Sequence, residues 1–112
     1  MTTLLISHPS SLRHVTPPGH PERADRMRAV EQALEDERFA LLQRVEAPEG
    51  TLAQVELCHP AAYAQAISEA SPQEGLVQID ADTIMSPGTL AAVLHGVGGA
   101  VHAVDEVMSG HV

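Results

Sequence analysis

The chain has seven histidines, and these side chains could perform the most kinds of chemistry, because a neutral imidazole can bind a metal ion or move a proton near neutral pH. His8, His14 and His20 recur every six residues, a spacing that puts them on no common face of a helix. His59 follows the single cysteine, Cys58, without the ligand spacing of a structural zinc site. The sequence therefore predicts no metal site formed by these residues.

Two other histidines and the cysteine are expected to be structural. His95 and His102 are seven residues apart in a predicted helix, where they can share the edge of a packed face. Cys58 is expected to be a small buried apolar residue rather than a nucleophile, because His59 is its one neighbour able to stabilise a thiolate.

The acidic sequence "DADT" offers a second kind of chemistry. An ionised Asp82 carboxylate can accept hydrogen bonds from the N–H groups of a ligand. The alternative is local, since Asp82, with Asp80 and Thr83 close by, can act as a turn or cap residue that satisfies backbone N–H groups. The residues alone leave both interpretations open.

Composition limits the class of partner and the kind of core. The 112 residues carry 15 acidic and six basic side chains, a net charge of −9, which is unfavourable for holding a nucleic acid and compatible with a cationic ligand. Phe39 and Tyr63 are the only aromatic residues, so a core must be built from small aliphatic side chains. One cysteine excludes an internal disulfide, and "MTTLLISHPS" lacks the basic region of a signal peptide, which favours the cytoplasm. No run reaches the roughly 18 apolar residues that a membrane span needs.

Hydrophobic periodicity predicts the elements that position these residues. Leu4, Leu5 and Ile6 form a continuous apolar run typical of a buried strand in a parallel sheet, and such a strand needs neighbours. A long first loop (residues 7–20) precedes a helix predicted over 21–37, which Pro21 begins and on which Met27, Val30 and Leu34 share one face. A second strand is predicted over 41–45 and a short helix, capped by Thr51, over 51–57.

The second half is predicted to contain two more helices around a second long loop. One helix begins at Pro60, with Tyr63 and Ile67 packing in the core. The second loop (residues 71–89) leads into a helix over 87–109, with apolar residues at alternating spacings of four and three and Gly110 as its stop. Its glycines, Gly96, Gly98 and Gly99, would each cost about 1 kcal/mol in a helix, so we expect another backbone to pack against them. Two short strands and four helices with narrow apolar faces do not complete a domain.

Three stretches give the sequence a family resemblance. "GHPERADRMRAV", "CHPAAYAQAI" and "DADTIMSPGTLAAVLHGVGGAVHAVDEV" resemble the N-terminal portion of the zinc-dependent histone deacetylase family, especially its bacterial deacetylase-like, acetylpolyamine amidohydrolase and acetoin-utilisation branch. The resemblance covers residues 8–109. It implies an α/β fold of the arginase–deacetylase type, three layers around a parallel sheet, of which residues 1–112 would be the N-terminal, mostly helical segment with two short strands.

The resemblance also implies a function for the whole domain. That family removes acyl groups from acetyl-lysine or acetylated polyamine-type amines, using a zinc ion held by two aspartates and one histidine. Those ligands and the catalytic histidine pair lie downstream of the glycine-bearing helix in the family, so no catalytic or metal-binding residue is expected here. Zinc is therefore expected in the full-length protein, and the 112-residue chain alone is expected to be inactive.

Two residues of this chain match functional positions of the family, and a third, His20, lies in a stretch typical of its first loop. Asp82 matches a rim aspartate that hydrogen-bonds the substrate backbone. Arg23, in "HPER", resembles an arginine that lines an internal channel, and the adjoining His20 would form part of the pocket wall. The alternative for Arg23 is a solvated residue in the first helical turn.

A non-enzymatic role is the rival interpretation. The long apolar face from Leu90 to Met108 suits a split subunit that docks on a chain bearing the rest of the sheet, and equally a small helical interaction module. Under the enzymatic interpretation the partner is an acetylated amine, with no nucleic acid or membrane. A homo-oligomer or a missing C-terminal part is compatible with both.

Overall fold

The computed structural model describes residues 2–112 as an α/β arrangement of four helices and four short strands. In chain order these are β1 (Leu4–Ser7), α1 (Ala24–Ala33), β2 (Gln43–Glu46), α2 (Leu52–Val55), α3 (Ala61–Ala70), β3 (Val77–Gln78), β4 (Ile84–Met85) and α4 (Thr89–Ser109). Two 3₁₀ turns, Pro9–Arg13 and Glu37–Phe39, lie in the connections. The predicted fold class, a partial α/β fold with helices and short strands, is confirmed.

The first two strands form the predicted parallel pair. Leu4 lies opposite Gln43 and Ser7 opposite Glu46. The second strand begins two residues later than predicted, because Leu41 is 97% exposed and belongs to the preceding turn. The antiparallel pair β3–β4 lies inside the second loop and was not predicted, since two-residue strands carry no detectable period.

Helix α1 is shorter than predicted at both ends. It begins at Ala24 because the backbone N–H of Glu22 bonds to the ring of His20, and Arg23 is extended, with φ −154° and ψ 151°. Pro21 therefore precedes the helix instead of opening it. The apolar face is also less covered than predicted, since Val30 is 44% exposed.

The end of α1 is fixed by competition from the turn that follows. The Asp36 carboxylate accepts hydrogen bonds from the backbone and side chain of Arg38, each at 2.9 Å, and so caps the 3₁₀ turn. These bonds, that of the side chain first, hold the pKa of Asp36 below its ordinary value. The helix stops before this turn, at Ala33.

The caps predicted for the later helices are observed, whereas the burial predicted for two of the residues near them is not. Thr51 and Gln54 form a reciprocal capping box on α2, and Gly110 ends α4 in the left-handed region at φ 79°. Cys58 is exposed and Tyr63 is 53% exposed, so both predictions of burial are wrong. Tyr63 is exposed because α3 buries only the small side chain of Ala64, and Cys58 lies in the exposed turn before that helix.

The predicted close packing of the α4 glycines holds for two of the three. A Cβ atom on Gly98 would lie 1.9 Å from the carbonyl oxygen of Pro48, and one on Gly99 would lie 3.2 Å from Cβ of Ala47. The Gly50 N–H donates to the Leu94 carbonyl at 2.8 Å, so the segment after β2 crosses α4 at backbone contact. A Cβ on Gly96, by contrast, would meet no described atom within 4 Å.

The described residues form a thin slab with little interior. The slab measures 42 × 32 × 21 Å, and its Cα radius of gyration is 15.6 Å, against about 13 Å for a compact chain of this length. Among residues 2–112 the buried hydrophobic side chains are Ala47, Ala64 and Met85. None of the helices in this part of the chain is both long and apolar enough to cross a bilayer.

Candidate functional site

A cavity of about 600 Å³ lies between the first loop, the second loop and helices α2 to α4. We call it the inter-loop cavity, and its polar lining includes His14, His20, Glu22, His59, Asp80 and Asp82. Two of the three residues singled out from the sequence, His20 and Asp82, are thus brought together. The third, Arg23, does not line this cavity.

His20 links the two loops by a pair of directed hydrogen bonds. Its Nδ1 accepts the backbone N–H of Glu22 at 3.1 Å, so the ring hydrogen is assigned to Nε2. The Nε2–H then donates to the backbone carbonyl of Asp82 at 3.0 Å, across 62 residues of sequence. The ring therefore stands in the cavity wall and holds the acidic loop by its main chain.

The turn role that the sequence left open for Asp82 is filled by Asp80. An Oδ1 atom of Asp80 accepts the backbone N–H groups of Asp82 at 3.1 Å and Thr83 at 2.9 Å. These hydrogen bonds, the backbone bond from Asp82 first, hold the pKa of Asp80 below its ordinary value. Asp82 itself is exposed on the rim of the cavity.

We expect the acidic loop to keep its shape to a lower pH than an ordinary aspartate would allow. Because the folded pKa of Asp80 is depressed, its contribution is complete above the unfolded pKa and is lost as the pH falls through the folded value. An NMR titration should therefore show the amide shifts of Asp82 and Thr83 moving together at a pH below the usual range for aspartate. A shift of these amides at the ordinary value would contradict the assignment, and Asp80→Asn should abolish the transition.

A buried hydroxyl hub fastens the first loop to the start of α4. Ser86, 1% exposed, accepts the N–H of Val15 at 3.0 Å and donates to the carbonyl of Arg13 at 3.1 Å. Thr89 Oγ1 accepts the Ser86 N–H at 2.8 Å and lies 2.7 Å from Nδ1 of His14. We call Ser86 and Thr89 the hydroxyl hub. Together with His20 it fixes the spacing of the two loops.

Arg23 lies outside the inter-loop cavity. It is exposed at the start of α1, in a shallow surface groove shared with Leu12, Pro17, Asp25 and Arg28. The structure therefore does not bring Arg23 together with His20 and Asp82.

The inter-loop cavity does not fit a zinc ion. Within residues 2–112 no three His, Cys, Asp or Glu side chains are placed to hold a metal. Both ring nitrogens of His20 are engaged with backbone groups, and Nδ1 of His14 lies against Thr89. What the site can do is bind, through the exposed carboxylates of its rim.

A second cavity, of about 440 Å³, lies along β1 and α4, and we call it the β1–α4 groove. The rings of His8 and His95 stack in its wall, with centroids 3.5 Å apart and planes 11° from parallel. Nδ1 of His8 accepts the Ser10 N–H at 3.0 Å, and its Nε2 lies 3.1 Å from Oε1 of Glu46. These contacts of His8 join the first loop, β2 and α4 at the groove.

The hydroxyl hub was missed by the sequence analysis. Its one local signal is a serine and a threonine beside a predicted helix start, since such side chains commonly bond nearby backbone groups, and here the Ser86 N–H donates to Thr89 Oγ1. The cavity positions of His59 and Tyr63 had no such signal. The ring centroids of these two residues, which are four positions apart in the sequence, are separated by 5.5 Å.

Comparisons with known proteins give a family for the chain, a relative in sequence and a similar fold. The model of the histone deacetylase domain matches residues 20–112. A probable deacetylase from Archaeoglobus fulgidus is 30% identical over 115 residues, which cover 97% of this chain and 31% of the relative. The crystal structure of the HDA15 HD domain superposes with a TM-score of 0.86 at 21% identity, over 99% of this chain and 33% of the other. The chain thus spans about a third of the length of either protein.

Proposed function

Because the chain belongs to the histone deacetylase domain family, we propose that it forms part of a zinc-dependent amidohydrolase acting on acetyl-lysine or acetylated polyamine-type amines. In this proposal the chain supplies the β1–β2 pair, the outer helices and two pocket loops. The zinc ligands and the catalytic groups belong to the part of the domain that the chain does not span. The reaction adds water across the amide, releasing an acid and the free amine.

The observation that supports this role most directly is the joining of the two loops around the inter-loop cavity. Asp80 fixes the turn through backbone bonds, and His20 holds the carbonyl of Asp82. Asp82 is thereby positioned on the rim with its carboxylate available to accept N–H groups of a substrate. His20 is a positioning residue in this scheme.

The charge of the cavity favours an amine substrate. Glu22, Asp80 and Asp82 line it, and no lysine or arginine stands among the described lining residues. Such a rim attracts a cationic flank, as an acetylated polyamine or a lysine-rich peptide would present, and repels nucleic acid.

We propose that the protein works in the cytoplasm. A channel role for Arg23 would require further polypeptide to cover the groove in which it lies.

The test is the substitution Asp82→Asn in a polypeptide of full deacetylase-domain length that carries this sequence. Loss of a charged hydrogen bond to substrate is expected to lower kcat/KM by about 10- to 100-fold, mainly through KM, because such bonds contribute about 1.5–3 kcal/mol. Steady-state kinetics with N-acetylputrescine and an acetyl-lysine peptide would measure the effect. Asp105→Asn, which changes an exposed carboxylate of α4 outside the cavity lining, is the matched control.

Two results would contradict the proposal. Equal kinetics for the Asp82→Asn and Asp105→Asn proteins would remove Asp82 from substrate binding. Normal zinc-dependent turnover by the 112-residue chain alone would show that the chemistry does not lie outside it.

A further inference from the structure

We propose that His14 is a ligand-binding residue of the inter-loop cavity, where its Nε2 atom accepts a hydrogen bond from a protonated primary amine. The inference deepens the proposed function and rests on it in one respect, since it takes an amine as the ligand of this cavity. The ligand class is an alkylammonium ion with N–H groups, such as the free amine that deacetylation releases. The contact does not depend on any role of Asp82.

The hydroxyl hub determines which nitrogen of the His14 ring carries the hydrogen. Ser86 Oγ donates its hydrogen to the carbonyl of Arg13, which can only accept. The hydroxyl oxygens of Ser86 and Thr89 lie 3.1 Å apart, so the hydrogen between them is that of Thr89. Nδ1 of His14 lies 2.7 Å from the same Thr89 oxygen, and because that oxygen has given its hydrogen to Ser86, the ring must donate. The ring hydrogen is therefore assigned to Nδ1, and Nε2 carries a lone pair.

This lone pair is open to the inter-loop cavity. His14 and Thr89 both line the cavity, and within residues 2–112 the ring of His14 has its one hydrogen bond at Nδ1. Every buried side-chain nitrogen or oxygen in this part of the chain has a partner, so the unpaired Nε2 is reached by solvent. His20 differs, because both of its nitrogens are engaged with backbone groups. His14 thus offers the cavity a neutral acceptor whose direction is fixed by the hub.

The surroundings of this acceptor favour a cation that carries N–H groups. A lone pair on a neutral imidazole is satisfied by an N–H or O–H donor and not by a carbonyl or carboxylate oxygen. The carboxylates of Glu22, Asp80 and Asp82 line the same cavity and favour a positive charge. Apolar side chains, among them Ile67 and Val93, line it as well and suit methylene groups. A protonated primary amine on an alkyl chain has all three properties, and water is the competing occupant.

The first test compares two ligands of equal charge. Putrescine carries N–H groups, whereas its fully methylated, doubly quaternary analogue has the same charge and no N–H group. Both would be titrated calorimetrically into the polypeptide of full deacetylase-domain length, at about pH 8, where an ordinary imidazole is neutral. Putrescine should bind at least about tenfold more tightly, because the analogue cannot make the hydrogen bond to Nε2.

The second test removes the acceptor and keeps the first loop attached to the hub. In the His14→Asn protein the side-chain amide can still donate to Thr89, but no acceptor replaces Nε2. The preference for putrescine should disappear while the melting temperature stays unchanged, whereas His14→Ala should lower the melting temperature as well. His111→Asn, which changes an exposed histidine outside the cavity lining, should keep the preference.

Four results would overturn the proposal. They are no binding of putrescine, equal binding of the two ligands, a preference that survives His14→Asn, and a ring hydrogen on Nε2 in long-range proton–nitrogen NMR spectra. Three of them are read on the unchanged protein, so they do not depend on the folding of a variant. The outcome is separate from that for Asp82→Asn, because these readouts measure binding of an unacetylated amine and require no deacetylase activity.

Discussion

Replacing Gly98 with alanine is expected to destabilise the chain by about 3 kcal/mol. The added Cβ would lie 1.9 Å from the carbonyl oxygen of Pro48 and 2.6 Å from the backbone nitrogen of Gly50, and neither backbone atom can rotate away. The segment after β2 would have to lift from α4, which would break the bond from Gly50 N–H to the Leu94 carbonyl. Urea unfolding followed by circular dichroism would measure the loss as a lower midpoint.

Gly96→Ala is the matched control, because it makes the same change two residues earlier in the same helix. Nothing described lies within 4 Å of the added atom, so only helix propensity changes, and a gain of about 1 kcal/mol is expected in the chain alone. If the two substitutions changed the midpoint equally, the close crossing at Gly98 would be refuted.

The substitution Ser86→Ala is expected to cost about 2 kcal/mol and to separate the two loops. It removes the acceptor for the Val15 N–H and the donor to the Arg13 carbonyl, and leaves the inward-facing hydroxyl of Thr89 with one partner fewer. Faster hydrogen exchange should appear at Val15 together with the lower unfolding midpoint.

Ser109→Ala serves as the control for this change. Its hydroxyl also bonds to a backbone carbonyl, that of Glu106, but at an exposed position near the end of α4. An exposed bond of this kind should change stability by no more than about 0.5 kcal/mol. A comparable loss for both serines would mean that the hydroxyl hub contributes nothing beyond an ordinary surface bond.

The features predictable from sequence are those encoded locally. The spacing of apolar residues over 87–109 predicted α4 because helical period is a property of consecutive residues. Thr51 marked a helix start through its side-chain cap, and Gly110 marked a helix end through its left-handed backbone. The parallel pairing of β1 followed from its unbroken apolar run. These signals need no knowledge of what the elements pack against.

The features missed are those that depend on distant partners. Val15 and Ser86 are 71 residues apart, and nothing in either local sequence states that one will bond the other. Tyr63 was predicted to be buried from its helical spacing, yet burial depends on which element covers α3. For the site, the family resemblance selected His20 and Asp82, but not that the contact would run through the Asp82 carbonyl.

The hydroxyl hub has a consequence for how a ligand would enter. Because Ser86 bonds both Arg13 and Val15, and the backbone of Gly88 presses against Arg13, the first loop and the start of α4 are expected to move as one rigid unit. The entrance of the inter-loop cavity then cannot widen by movement of the first loop alone. Its easier opening is expected on the side of α3, where Tyr63 of that helix and His59 of the turn before it are exposed to solvent. A ligand would then enter by displacement of α3, while the two tethered loops keep their positions.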